Sequence, residues 1–94
     1  MEKSVLKALA RIERSLKRTA EAYCNGECDA SAFFGERERA LRRIKKLLGR
    51  SDYIFINSDP RGAMIKIESA GIPYYEAMGF VIHRDWGGCG YFIE

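Results

Sequence analysis

Within six positions, Asn57-Ser58-Asp59-Pro60-Arg61-Gly62 brings together an amide, a hydroxyl, a carboxylate and a guanidinium. Facing outward, such groups hold a partner through charge-assisted hydrogen bonds. Turned inward, they brace their own backbone, as Asp and Asn in turns usually do. Further along, Asp85-Trp86-Gly87-Gly88 offers a carboxylate and an indole on a second turn, and Asn25-Gly26 makes a third. An Arg and a Trp on loops are frequent interface anchors. Should the turns converge at one edge of a sheet, Asn57, Asp59, Arg61, Asp85 and Trp86 would form a partner-binding surface. A bidentate bridge from Arg61 to Asp59 or Asp85 would instead fix the loops.

Cys24, Cys28, His83 and Cys89 have the ligand types of a Cys3His zinc site. Cys24 and Cys28 have a permissible spacing, but His83 and Cys89, with five residues between them, match no recognised knuckle. Free or buried thiols are the simpler expectation, and no metal or cofactor is assigned. His83 is the single histidine, and no nucleophile motif accompanies it. The chain has no phosphate-binding Gly-rich loop. Tyr75-Glu76-Ala77-Met78-Gly79-Phe80 is similar to the tail of acyl-CoA N-acetyltransferases, without the pyrophosphate loop those enzymes need. The expectation is a protein that is not an enzyme.

A second kind of chemistry lies in the basic residues. Residues 1–50 carry thirteen Lys/Arg against seven Asp/Glu, a balance of +6, whereas residues 51–94 carry three against six, a balance of −3. Lys7, Arg11, Arg14 and Arg18 recur at helical spacing, as do Arg39, Arg43, Lys46 and Arg50. Facing the same way, these stripes would offer about eight phosphate contacts, with strong salt dependence. They would serve equally to grip an acidic protein. Glu13, Glu21, Glu36 and Glu38 interleave with them, as on an ordinary solvated helix surface.

The elements that position these groups follow from periodicity. Val5, Leu9, Ile12, Leu16, Ala20 and Tyr23 form one stripe of a helix from about Lys3 to Cys24, with Ser4 a candidate cap and Asn25-Gly26 a stop. A second helix is expected from Asp29 or Ser31 to Leu48, with Phe33, Phe34, Arg37, Ala40, Leu41, Ile44, Leu47 and Leu48 inward. The short connection makes the two an antiparallel hairpin. After Arg50 the period becomes extended. Tyr53–Ile56 and Ala63–Ile67 flank the Asp59-Pro60 turn as a β-hairpin, with Gly62 expected to supply a left-handed backbone. Tyr74–Ala77 is read as a helical turn opened by Pro73, Phe80–His83 as a strand, and Cys89–Ile93 as another.

Cys24-Asn25-Gly26, Asn57-Ser58-Asp59-Pro60-Arg61-Gly62 with its following strand, and Asp85-Trp86-Gly87-Gly88-Cys89-Gly90 keep the order of three motifs in a family of small, uncharacterised phage and prophage proteins, which this chain resembles. It departs from that pattern at Ser58, at Ala63-Met64 and in a longer segment before the last motif. The resemblance implies an origin in phage or mobile DNA.

Helices followed by strands predict a single α+β domain over 1–94, with a helical hairpin (1–50) on one face of an antiparallel sheet of three to four strands (51–94). The start Met1-Glu2-Lys3-Ser4 lacks the apolar run of a secretory signal. No run of about 18 apolar residues suggests a membrane span. The odd cysteine count suits a reducing compartment, so a host bacterial cytoplasm is expected. The functional expectation is a phage accessory protein that binds a host protein. The resemblance implies no activity, and anti-defence action such as CRISPR inhibition is the sharpest hypothesis it permits, by analogy with other compact phage accessory proteins. The alternative is nucleic-acid binding through the helical stripes.

Overall fold

The computed structural model describes residues 3–85 and 87–93. Two long helices come first, α1 (Lys3–Cys24) and α2 (Ala30–Leu48). Ser4 lies inside α1 rather than capping it, since the first turn already includes Lys3. Asp29 caps α2, its carboxylate accepting the Ala32 N–H at 2.9 Å, which satisfies one of the four unpaired amides of a helix start. Gly49, at φ 83°, ends α2 in the left-handed state that few other residues tolerate. Tyr23 meets Phe33 at 5.9 Å and Ser15 bonds Glu36 at 2.8 Å, pairings that run in opposite senses along an antiparallel hairpin.

The sheet has four antiparallel strands: β1 (Ile54–Ile56), β2 (Ile65–Ile67), β3 (Val81–Arg84) and β4 (Gly90–Ile93), in the order β1-β2-β4-β3. Ile54 pairs with Ile67 and Ile56 with Ile65. Alternation along a strand sends these four isoleucines to one face. They are buried with Leu9, Ile12, Leu16, Ala40, Ile44 and Leu48 of the helices. Full burial of such a side chain stabilises by about 1.5–3 kcal/mol, and this layer is the main reason the hairpin stays on the sheet.

Between β2 and β3 a 3-10 turn (Ser69–Gly71) leads into α3 (Ile72–Ala77), with Pro73 in its first turn as expected. Gly71 is required by a close approach: a Cβ there would run into Cβ and Cγ of Tyr53. From α3, the fully buried Tyr75 meets Phe80 at 5.9 Å and Phe92 at 5.4 Å, closing the core at the far end of the sheet.

Three expectations about packing fail. Tyr23, on the apolar stripe of α1, is 45% exposed. Phe34 is 52% exposed rather than inward, with the Arg37 guanidinium 5.4 Å from its ring centre; Phe33 takes the buried position one residue earlier. Gly62 has no left-handed backbone, and a Cβ would meet nothing there, so the turn does not depend on glycine at that position.

Candidate functional site

The Asn57–Gly62 loop is a self-braced turn. Asn57 Oδ1 accepts the Asp59 N–H at 3.4 Å, and Asp59 Oδ1 accepts the Arg61 N–H at 3.0 Å. The Arg61 guanidinium then folds back on Asp59, Nε to Oδ1 at 3.1 Å and Nη2 to Oδ2 at 3.3 Å. Those side-chain bonds, and then the backbone one, hold the Asp59 carboxyl below its ordinary pKa. Asp59 likewise raises Arg61, through those side-chain hydrogen bonds and its opposite charge. The Arg61 side chain is nevertheless 89% exposed.

Asp85 belongs to a different place. Pairing of Ile67 with Gly90 and of Gly90 with Arg84 puts the Asp85–Gly88 turn at the Ile67 end of the sheet. The Asn57–Gly62 loop leaves from the Ile56/Ile65 end. Antiparallel register therefore separates the two turns, and the condition under which they would share one binding surface is not met. Asp85 instead pairs with Lys66 of β2, whose side chain is only 11% exposed on the sheet face away from the helices. The Lys66 ammonium also lies 5.2 Å from the Tyr91 ring centre, and His83 stacks on Tyr91 at 4.9 Å. Trp86 lies outside the described residues.

The cysteines and the histidine are dispersed as well. Cys24 and Cys28 sit at the tip of the helical hairpin, where Cys28 donates to the Thr19 carbonyl at 3.7 Å, whereas His83 is on β3. Among the described residues no three His, Cys, Asp or Glu side chains are gathered as a metal site.

Three residues of the basic stripes meet. Arg11 of α1 and Arg43 and Lys46 of α2 line one groove of about 240 Å³, floored by Ala8, Ile12 and Leu47. The lining comes from the two helices alone, so the groove faces away from the sheet. Among the described residues no carboxylate pairs with Arg11, Arg43 or Lys46. Lys7, Arg14 and Arg18 extend the cationic surface along α1, all exposed.

Two of the interleaved acids turn away from this surface. Glu13 reaches the sheet, where its Oε2 accepts the N–H groups of Met64 at 3.1 Å and Ile65 at 3.0 Å. Glu36 accepts from Ser15 between the helices and pairs with Arg39 at 3.6 Å. Glu21 and Glu38 remain exposed. Arg50 does not belong to the stripe: Gly49 turns the chain, and the guanidinium binds Asp52 while packing over Tyr53 at 4.6 Å and Tyr74 at 5.0 Å. Hydrogen bonding from Arg50 lowers the Asp52 carboxyl in turn.

The stripes were legible from spacing; the apolar floor was not. Ala8 and Leu47 lie beside Ile12 and Ile44 on the helical wheel, at the border between core and solvent, and only the packing of the helices makes that border a groove. No family model, curated protein or solved structure matches the chain.

Proposed function

We propose that this protein is a non-enzymatic binding module that holds an anionic macromolecule against the outer face of its helical hairpin. The observation that carries this is the meeting of Arg11, Arg43 and Lys46 around one groove with no acidic partner among the described residues. Inward turning of Glu13 strengthens the positive field there, whereas Glu36 offsets Arg39. The Asn57–Gly62 turn supports the reading indirectly, because its carboxylate and guanidinium satisfy each other. Together with the resemblance to phage and prophage proteins, the macromolecule is one of the host's. Interference with a host defence system such as CRISPR is the sharpest biological form of the proposal, and it rests on that resemblance.

Immobilised heparin, a generic polyanion, tests the surface. The protein should be retained at about 150 mM salt, where exposed charges farther apart than roughly 8 Å are already screened. Arg11→Glu with Arg43→Glu should elute without retention while its circular dichroism and thermal midpoint stay unchanged. Equal retention of the two proteins would contradict the proposal.

Nucleic acid is the second reading, favoured by the exposed run Lys7, Arg11, Arg14 and Arg18. With Arg50 bound to Asp52 and Arg39 paired with Glu36, six of the eight stripe cations stay available. Full engagement would give log K a slope of about −5 against log salt on duplex DNA. No shift of a DNA duplex at low salt would exclude it.

A further inference from the structure

The groove is half apolar, and a phosphate backbone has no use for that half. Ala8, Ile12 and Leu47 form its floor, between Arg11 on one wall and Arg43 and Lys46 on the other. Ala8 and Leu47 are both partly open to solvent. Two helices packed side by side lie about 8–10 Å apart, so the furrow between them has the width to seat the ridge of a third helix. The sugar-phosphate edge of a duplex would meet the cations and leave the floor wet.

We infer that the groove takes an acidic amphipathic helix of a partner protein. Its apolar face would lie on Ala8 and Leu47, above the buried Ile12, and its flanking carboxylates would meet Arg11 on one side and Arg43 and Lys46 on the other. This rests on the polyanion-binding reading and narrows it. The stripe from Lys7 to Arg18 runs about 16 Å along α1 at 1.5 Å per residue, enough to follow roughly three turns of the docked helix. The geometry is that of recognition by a helix laid in a groove, in which apolar anchors recur at i, i+3, i+4 and i+7. It makes α1 and α2 two sides of a three-helix layer that the partner completes.

The test is fluorescence anisotropy with three labelled probes at about 150 mM salt: an 18-residue peptide with Leu at helical anchor spacing and Glu at flanking positions, about 27 Å long as a helix; the same composition scrambled; and a DNA duplex of similar length. The amphipathic peptide should bind at least ~10-fold more tightly than either other probe. Ala8→Glu, which places a carboxylate on the floor, should remove that preference while heparin binding largely persists. Comparable binding of all three probes would overturn the helix inference and leave the polyanion reading intact. Absence of both heparin and peptide binding by the parent protein would overturn both. A preference for the amphipathic peptide that survives Arg11→Glu with Arg43→Glu would place its site elsewhere and refute the assignment.

Discussion

Glu13 offers the sharpest check of how the two layers are joined. By spacing alone it belongs to an i, i+4 ladder with Lys17, and the structure does record that pair at 3.9 Å. The same carboxylate also accepts two backbone N–H groups at the start of β2, and its side chain is 26% exposed. A hydrogen bond to a charged acceptor contributes about 1.5–3 kcal/mol. Sharing one oxygen and partial exposure make the pair less than additive, so Glu13→Ala should lose about 2–3 kcal/mol. For a domain of this size each kcal/mol is worth roughly 4–8 °C, so the midpoint should fall by about 10–20 °C. Glu13→Gln keeps an acceptor oxygen and should lose about 1 kcal/mol. Lys17→Ala, which removes only the surface ion pair, should stay within ~0.5 kcal/mol of the parent. Urea titration followed by circular dichroism measures all three. If Glu13→Ala costs no more than Lys17→Ala, the carboxylate is a surface charge and the account of the α1–β2 junction is wrong.

Three further predictions concern the sheet and its turns. Asp85→Ala leaves the nearly buried Lys66 ammonium without its ion-pair partner, so it should cost about 2 kcal/mol, more than Lys66→Met, which removes the cation itself; equal urea midpoints would argue against that pairing. The Tyr75 hydroxyl is buried with no partner among the described residues, and burial raises its pKa, so Tyr75→Phe should leave thermal stability unchanged or raise it by up to ~1 kcal/mol, and a clear loss would reveal a hydrogen bond. Asp52 and Asp59 are both held below the ordinary carboxylate range; the unfolded chain therefore binds more protons, and the stability they contribute is full above pH ~4 and fades as the pH falls through their depressed values. The urea midpoint should decline in acid less steeply for Asp52→Asn with Asp59→Asn than for the parent, and parallel profiles would count against both bridges.

Much of the fold was legible because it depends on local rules. The stripe from Leu9 to Ala20, the Asp29 cap, the stop at Gly49 and the turn opened by Pro73 each follow from a few neighbouring residues, and each is present. The braced Asp59–Arg61 turn was also among the outcomes its composition allowed. What sequence spacing could not supply were facts of register and of contact between layers. The opposite placement of the Asp85 and Asp59 turns depends on which strand end pairs with which. The role of Glu13 depends on α1 lying over β2. Lys66, a charge in the central strand, is buried because Asp85 and Tyr91 surround it, which no pattern in β2 announces. Arg50 kept the spacing of the α2 stripe and lost its direction when Gly49 turned the chain.

The central claim is that the working surface lies on the outer face of the helical hairpin. The most direct measurement is a nitrogen–proton NMR titration of the labelled protein with a short heparin oligosaccharide. The amides expected to move are those around Lys7, Arg11 and Arg14 in α1 and around Arg43 and Lys46 in α2, with the strands left in place. Shifts confined to the Asn57–Gly62 turn or to β3 and β4 would contradict it and return the site to the loops.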